Sequence, residues 1–481
     1  MNKVLEGLLI AVVVGSTLAF GGVQPLAYSL VEITLFSGFV ALLWHQAREG
    51  KIEIRVPIWP LLFACLIMLH MVPLPAPLIV RLSPQRFVGP AAAGWPLPAS
   101  WTTLSIYPHN TSLAWIKFLA YICAFTLSAY VFDSRRRNSA LVKALIYLGV
   151  FEAAYGSLQY LTGSQKIFTY TKQYYVEDAT GTFINHNHFA GFLELTLPFV
   201  MAYVFYFFQI WMEGRRHHRS PSAPAGWGSA GIQSLLYLFL VLILLVALVF
   251  SRSRGGILAA AFTVFVVAVL AQFRARRRAW LVGLCIFLLV AVAYGLWIGL
   301  DPVLARFEQM GETHYFQFEG RLSFWKDSMS LIREYPLTGI GLGNFGIAFP
   351  RFQTSWVNFF VDHAHNDYVE FAVEAGLVGA TLFFLPMLYL LGRMIVSFLR
   401  DSRRYRPAML LGCIGSTLAI LLHSITDFNL QIPSNALVFS VVLGIGYKAA
   451  CLEPADEVQQ KPVGLREQSR ASASPAEVSR G

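Results

Sequence analysis

The chain has 481 residues, of which 56% are hydrophobic and 13% are charged, and its formal net charge is +10. Soluble domains carry about 25% charged residues, so the composition excludes an ordinary soluble protein. Apolar stretches of about 20 residues, the length an α-helix needs to cross a bilayer, recur from one end of the chain to the other. A β-barrel is disfavoured because its strands alternate in polarity. The sequence therefore predicts an all-α polytopic membrane protein.

About twelve transmembrane helices are predicted from these stretches. The predicted spans are Leu5–Phe20, Ala27–Trp44, Ile58–Val72, Leu113–Phe132, Leu141–Leu161, Phe189–Trp211, Leu235–Phe250, Gly256–Phe273, Trp280–Leu300, Phe371–Leu391, Pro407–His423 and Ala436–Tyr447. The first is interpreted as a retained helix rather than a cleaved signal. No convincing small-residue cleavage site follows it, and further spans begin at once.

Basic residues concentrate in every second connection between spans. These clusters are Arg48, Lys51 and Arg55; Arg135, Arg136 and Arg137; Arg215, Arg216 and Arg219; Arg274, Arg276, Arg277 and Arg278; and Arg393, Arg400, Arg403, Arg404 and Arg406. The positive-inside rule makes these connections cytoplasmic and places both termini in the cytoplasm. The positive charge is thus a consequence of topology, and we expect no nucleic-acid partner.

One integral membrane domain is predicted for residues 1–451, with a large, partly helical outer loop at about 301–368. Residues 452–481 are rich in Glu, Gln, Ser, Ala and Pro and predict a disordered cytoplasmic tail. No strong internal repeat is visible, which argues against a transporter built from two related halves. A transporter would also place charged residues at mid-membrane depth, whereas here they concentrate at the outer boundary.

The most polar stretch beside a predicted span is DHAHNDYVE, residues Asp362–Glu370. Such a cluster at a bilayer boundary costs free energy unless it binds a ligand or performs chemistry. An HxH pair alone is a weak metal signal, so no metal and no cofactor are expected. A histidine has a pKa suited to abstracting a proton from a sugar hydroxyl. We interpret one of the two histidines, His363 or His365, as this base, with a neighbouring carboxylate to orient its ring.

The motif SRSRGG at Ser251–Gly256 lies at the outer end of the seventh predicted span. Its arginines, Arg252 and Arg254, are on the wrong side for the positive-inside rule. Arginines at a boundary often reach toward lipid headgroups, which is the alternative interpretation. The planar guanidinium is nevertheless well suited to phosphate, and a glycine-rich helix start favours anions and close approach of a ligand. The motif therefore predicts a diphosphate site.

Two further motifs contribute candidate residues. GRLSFWKDS predicts an amphipathic outer helix, Arg321–Glu334, in which Arg321 is either a ligand for phosphate or a solvated loop charge. GTFINHNHFAG contains Asn185 and Asn187, for which helix capping is the simpler alternative to substrate binding.

These residues resemble the O-antigen ligase and O-antigen polymerase superfamily of bacterial inner-membrane glycosyltransferases. His365, Asn366, Gly376 and Gly379 fit the spacing of the ligase signature. SRSRGG resembles the family's arginine-glycine turn and GRLSFW its second essential arginine. GTFINHNHFAG resembles the family's GTF-x-N-x-N segment, with His186 where proline is frequent, and the stretch DFNLQIPSNA beginning at Asp427 resembles a closing motif. The similarity covers about residues 181–436.

The resemblance implies a metal-independent, inverting glycosyl transfer at the periplasmic face of the inner membrane. The donor would be a glycan on polyprenyl (undecaprenyl) diphosphate. Arg254 and Arg321 would hold the diphosphate, and His365 would deprotonate the acceptor hydroxyl; Arg252, His363, Asn366, Asp367, Asn185, Asn187 and Asp427 would bind substrate. The ligase signature favours an O-antigen ligase with the lipid A core as acceptor. The alternatives are a polymerase of O-antigen or exopolysaccharide repeats, a protein O-oligosaccharyltransferase and a lipid-linked-sugar transporter.

Overall fold

The computed structural model describes residues 1–50, 56–84, 100–131, 135–217, 227–275, 319–354 and 360–452. Within these ranges the protein is almost entirely helical, as predicted. The helices are α1 Asn2–Leu18, α2 Pro25–Arg48, α3 Ile58–Met71, α4 Ala76–Leu82, α5 Pro108–Val131, α6 Arg135–Thr162, α7 His186–His217, α8 Trp227–Ser251, α9 Arg254–Ala275, α10 Glu319–Glu334, α11 Phe345–Ala348, α12 Asp367–Glu374, α13 Gly376–Arg400, α14 Tyr405–His423 and α15 Pro433–Cys451.

Strands are confined, in the described residues, to two short antiparallel pairs. β1 (Leu74–Pro75) pairs with β2 (Trp101–Thr102), and β3 (Lys166–Ile167) pairs with β4 (Tyr170–Thr171). Each pair lies in a connection between helices, and Ile167 of β3 is buried.

Nine helices of the described residues are long and apolar enough to cross a membrane: α2, α5, α6, α7, α8, α9, α13, α14 and α15. The apolar helices α1 and α3 are shorter. Each predicted span except Trp280–Leu300 overlaps a helix. That span lies outside the described residues, as do 301–318 and 355–359 of the predicted outer loop and 453–481 of the predicted tail. The multi-pass membrane architecture is therefore confirmed for the part that the structure describes.

One predicted span differs in detail from the structure. The apolar run beginning at Phe371 predicts a single helix, but the chain breaks at Ala375 into α12 and α13. Gly376 opens α13 with φ +69°, and a Cβ there would collide with the carbonyl group of Leu337. Hydropathy is continuous across this point and therefore does not reveal the break.

The core is centred on α7, which packs along α8 and α14. Large side chains of α7 lie over glycines of α14. A Cβ at Gly412 would collide with the Phe199 ring, and one at Gly415 would lie 2.5 Å from Pro198. In lipid the hydrophobic effect does not drive helices together, so their association depends on van der Waals packing. Small residues such as these glycines let the helices approach closely enough for that packing.

The helices present two chemically different faces. The helices α7, α9, α13 and α15 begin, and α8 and α14 end, at the face that carries the polar motifs. Basic residues gather at the opposite ends. There Arg274 donates to the carbonyl oxygens of Phe398 and Arg403 at 2.7 Å each, and Arg406 donates to the carbonyl of Ala449 at 2.6 Å. This segregation agrees with the alternation of basic loops in the sequence.

The predicted outer helix is α10, which packs over α12 around a small core of its own. Phe324, Tyr335, Phe345 and Phe349 are the buried aromatic residues of that core. Trp325 of α10 donates from Nε1 to the carbonyl oxygen of Ala364 at 2.9 Å. This contact holds the histidine-containing loop directly against α10.

Candidate active site

The centre of the polar face is the connection between α14 and α15, residues 424–432. Its Asp427 has a fully buried side chain. Oδ1 of Asp427 lies 3.5 Å from Nδ1 of His365, and Oδ2 lies 3.7 Å from Nη2 of Arg321. Arg321 also donates to the carbonyl oxygen of Thr426 at 2.5 Å. One carboxylate therefore joins two residues that are 44 positions apart in the sequence.

The charge of Asp427 is set by these neighbours. Burial alone would raise the pKa of its carboxyl, but the His365 ring and the Arg321 guanidinium hold it well below the usual range. The carboxylate thus stays ionised and can orient the imidazole and stabilise its protonated form. A separation of 3.5 Å is long for a hydrogen bond, and such contacts often tighten only when substrate is bound.

The turn that carries Arg254 packs against the same connection. Ser253 caps α9, accepting from the Gly256 N–H at 3.3 Å, and donates to Oδ1 of Asn187 at 2.7 Å. Gly255 faces Thr426 so closely that a Cβ would collide with its hydroxyl. Arg254 is the exposed first residue of α9.

The glycines of this turn are required by packing, and the expectation that they also admit a ligand to the backbone stays a prediction. A Cβ at Gly256 would lie 2.7 Å from a carboxylate oxygen of Glu194, and Gly255 is covered by Thr426. The space above both glycines is filled by protein side chains. Their small size brings α9 against α7 and α14 and thereby positions Arg254.

Arg252 binds a different part of the protein. Its guanidinium lies 3.2 Å from Oδ1 of Asp178 and 3.3 Å from Oε2 of Glu177, two residues of the loop before α7. Its backbone is left-handed, with φ 56°. Arg252 thus fastens the loop to the arginine turn, and its predicted contact with substrate stays a prediction.

His363 and His365 face different carboxylates. Nδ1 of His363 lies 2.7 Å from Oε1 of Glu370, and the ring stacks on Phe428 at 4.1 Å between centroids. Burial lowers the pKa of His363, but the Glu370 carboxylate more than offsets this, so that the pKa rises to about 9. His363 is therefore an imidazolium at neutral pH and has no lone pair with which to accept a proton.

Asn366 and Asp367 stabilise the start of α12. The Asn366 side chain caps the helix by accepting from the Val369 N–H at 3.1 Å. The fully buried Asp367 accepts from the Ser424 hydroxyl at 2.7 Å and from the Leu430 N–H at 3.2 Å. Burial raises the pKa of Asp367 well above its usual value. Both side chains have structural partners, and substrate binding by either stays a prediction.

The two asparagines of the GTFINHNHFAG motif also have structural partners. Asn185 caps α7, accepting from the Asn187 N–H at 2.8 Å, which confirms the capping interpretation for this residue. The side chain of Asn187 is bound to Ser253. The motif therefore connects the start of α7 to the arginine turn.

Several residues of the site are not identified by the sequence motifs. Phe428 lies between three imidazoles: its ring centroid is 4.1 Å from that of His363, 4.9 Å from that of His365 and 4.7 Å from that of His188. A buried pair of Glu194 and His423, 3.1 Å apart, lies beneath the arginine turn. A carboxylate inside a predicted span was the one available signal for Glu194. No periodicity marks Phe428.

The described ranges contain no group of three or more His, Cys, Asp or Glu side chains placed to hold a metal ion. The arrangement instead provides two arginines, a neutral-pH imidazolium and one histidine beside an ionised carboxylate. Such a set can bind an anionic group and accept a proton next to it.

Comparison with known proteins agrees with this geometry. A family model described as O-antigen ligase matches residues 239–384, a range that contains Arg254, Arg321 and His365. Fold and match together indicate a multi-pass membrane protein that is similar to O-antigen ligases over this range. The match supports the resemblance to the O-antigen ligase and polymerase superfamily that the motifs indicate. No curated protein matches the chain.

Proposed function

We propose that this protein transfers a glycan from a polyprenyl-diphosphate donor to an acceptor hydroxyl at the periplasmic face of the bacterial inner membrane. We further propose that it acts as an O-antigen ligase, with the lipid A core as acceptor. The observation that carries the proposal is the buried Asp427, which lies between His365 and Arg321. The turn of Arg254 packs against the same connection.

The arginines bind the donor. Arg321 is oriented by Thr426 and Asp427, and Arg254 projects from the start of α9, where the helix dipole adds positive potential. Guanidinium groups suit phosphate oxygens because they donate two parallel hydrogen bonds. They also offset the negative charge that develops on the diphosphate as it leaves.

His365 is the general base. It removes the proton from the acceptor hydroxyl as that oxygen attacks the anomeric carbon. A new C–O bond forms there, the bond from that carbon to the diphosphate oxygen breaks, and polyprenyl diphosphate leaves with the bonding electrons. Attack opposite the leaving group inverts the anomeric centre. Asp427 stabilises the resulting imidazolium, and no step requires a metal ion.

The test is transfer by purified protein in lipid nanodiscs with a lipid-linked glycan and lipid A core. His365→Ala should lower the rate by about 10²–10⁴ because a positioned base is lost. His363→Gln is the comparison variant: it removes a positive charge beside the site, so the KM for the donor should rise, but kcat should be largely retained because a protonated His363 is not the base. A dead His363→Gln with an active His365→Ala would overturn the assignment of the base.

Product analysis in cells separates the ligase from a polymerase. Deletion of a ligase leaves full-length polymer on the polyprenyl carrier and bare lipid A core, because only the last transfer is lost. Deletion of a polymerase leaves single repeat units instead. Accumulation of single repeats in the deletion strain would refute the ligase assignment. The use of a polyprenyl-diphosphate donor, which both enzymes share, would remain compatible with that result.

A further inference from the structure

Tyr175 occupies an unusual place in the loop between β4 and α7. Its backbone is left-handed, with φ 53°, and it shares this conformation with Arg252 and His365 of the site. A residue with a Cβ adopts this conformation only when its surroundings enforce it, and such residues cluster at functional sites. None of the motifs read from the sequence includes Tyr175.

The loop around Tyr175 is rigidly fastened to the arginine turn. The carbonyl oxygen of Tyr175 accepts from the Asp178 N–H at 3.2 Å. The carboxylate of Asp178 in turn binds the guanidinium of Arg252, and its Oδ2 lies 3.0 Å from Nδ1 of His186. The next residue, Ala179, donates from its N–H to the carbonyl oxygen of Phe250 at 3.0 Å. The position of Tyr175 is therefore fixed relative to the end of α8 and the start of α9.

One face of the Tyr175 ring rests on His186, with centroids 4.4 Å apart and planes 23° from parallel. Nδ1 of His186 lies 2.6 Å from the carbonyl oxygen of Ser251, the residue that opens the arginine turn. Because both neighbours of this nitrogen are oxygen acceptors, Nδ1 carries a proton and the ring cannot turn over. His186 thus supports the tyrosine on the side away from solvent.

The hydroxyl of Tyr175 belongs to the electrostatic environment of the site. Burial and the charges of Asp427, Asp178 and Asp362 raise the pKa of the phenol, while Arg321 acts in the opposite direction. The group is therefore a neutral O–H donor at physiological pH. The side chain is 37% exposed, and within the described part of the chain its hydroxyl makes no hydrogen bond.

We propose that Tyr175 is a donor-binding residue whose hydroxyl donates a hydrogen bond to the diphosphate held by Arg254 and Arg321. The inference rests on the proposed function. It adds an uncharged hydrogen-bond donor, the Tyr175 hydroxyl, to the two arginines that bind the diphosphate. A fixed aromatic ring supplies this hydrogen bond at small entropic cost, because the stack on His186 already restricts it.

The test measures binding of undecaprenyl diphosphate, without a glycan, to purified protein in nanodiscs. Tyr175→Phe keeps the ring and its stack and removes only the hydroxyl. We expect its Kd for the diphosphate to rise about 10-fold or more, as for loss of a hydrogen bond to a charged group. In the transfer assay the KM for the donor should rise with kcat little changed, because the contact exists before and during reaction.

The matched control is Tyr174→Phe, since Tyr174 is the adjacent tyrosine and is 66% exposed. Its Kd should equal that of the wild type. If Tyr175→Phe also binds like the wild type while Tyr175→Ala is impaired, the tyrosine is only a structural support and the inference is overturned. If the wild-type protein does not bind the diphosphate at all, the proposed function fails together with it.

Discussion

Two histidines separated by one residue differ in environment because each lies beside a different carboxylate. Glu370 is 2.7 Å from His363 and keeps it charged, whereas Asp427 is 3.5 Å from His365. The left-handed backbone of His365, with φ 49°, directs the two rings to these separate partners. The chemical difference between them is thus a property of the loop conformation and not of the residue type.

The His363–Glu370 contact should make stability depend on pH. The folded-state pKa of His363, about 9, is above its ordinary value of 6.5. The contact therefore contributes fully to the free energy of unfolding below about pH 6.5, and this contribution is lost as the pH rises through about 9. We expect a contribution on the order of 1–3 kcal/mol. Thermal unfolding of the wild type and of His363→Gln measures it.

The wild type should be the more stable of the two at about pH 6, and the difference should narrow by about pH 10. A difference that stays constant over this range would contradict a titrating ion pair. Activity is not the readout here, so the result is independent of the proposed function.

Single residues of the site are predictable from sequence only when they carry a charge in an unusual place. Arg254, Arg321 and His365 stand out because polar groups at a bilayer boundary are costly. Tyr175 and Phe428 do not, since aromatic residues are frequent at that boundary. Their positions depend on contacts with His186, 11 residues from Tyr175, and with His363, 65 residues from Phe428, and no local sequence pattern predicts these contacts. Such contacts exist only after the helices have packed.

At the scale of elements, the break between α12 and α13 fixes the histidine loop. The N–H of Leu377 donates to the carbonyl oxygen of Pro336 at 2.8 Å, and that of Gly341 donates to the carbonyl of Glu374 at 2.7 Å. The chain after α10 is thereby hydrogen-bonded across the break. The glycine of the ligase signature at position 376 is thus explained by backbone geometry.

Gly376→Ala should destabilise the protein. A left-handed residue with a Cβ costs about 1–2 kcal/mol, and the collision with the Leu337 carbonyl adds to this. Gly392→Ala is the matched control in the same helix, because nothing lies within 4 Å of a Cβ there. Thermal unfolding in nanodiscs should show a lower midpoint for Gly376→Ala and an unchanged or higher one for Gly392→Ala. Equal midpoints would show that the break tolerates a side chain.

Some span boundaries are predictable to within a few residues because hydropathy is a local property, whereas α8 begins eight residues before its predicted span and α13 ends nine residues after its own. The predicted span Pro407–His423 and the observed α14, Tyr405–His423, end at the same residue. The break at Gly376 is not predictable in this way, since the residues on both sides are apolar. It arises from the approach of the 336–341 segment, which is a tertiary contact.

At the scale of the whole molecule, the fold places the basic helix ends and the candidate site at opposite faces. At one face, Arg274 and Arg406 donate hydrogen bonds to backbone carbonyl groups near the helix ends. The candidate site lies at the opposite face. In a membrane this arrangement predicts that the basic face is cytoplasmic. The proposed donor and acceptor would then meet at the opposite, periplasmic face.

This orientation is tested by single cysteines at the two faces. Glu49 follows α2 at the basic face, and Thr162 ends α6 at the face of the site; both are exposed. With the five native cysteines replaced, Thr162→Cys should react with a membrane-impermeant maleimide in intact cells. Glu49→Cys should react only after the inner membrane is permeabilised. Labelling of Glu49→Cys in intact cells with Thr162→Cys protected would invert the topology and place His365 in the cytoplasm, where the proposed periplasmic transfer cannot occur.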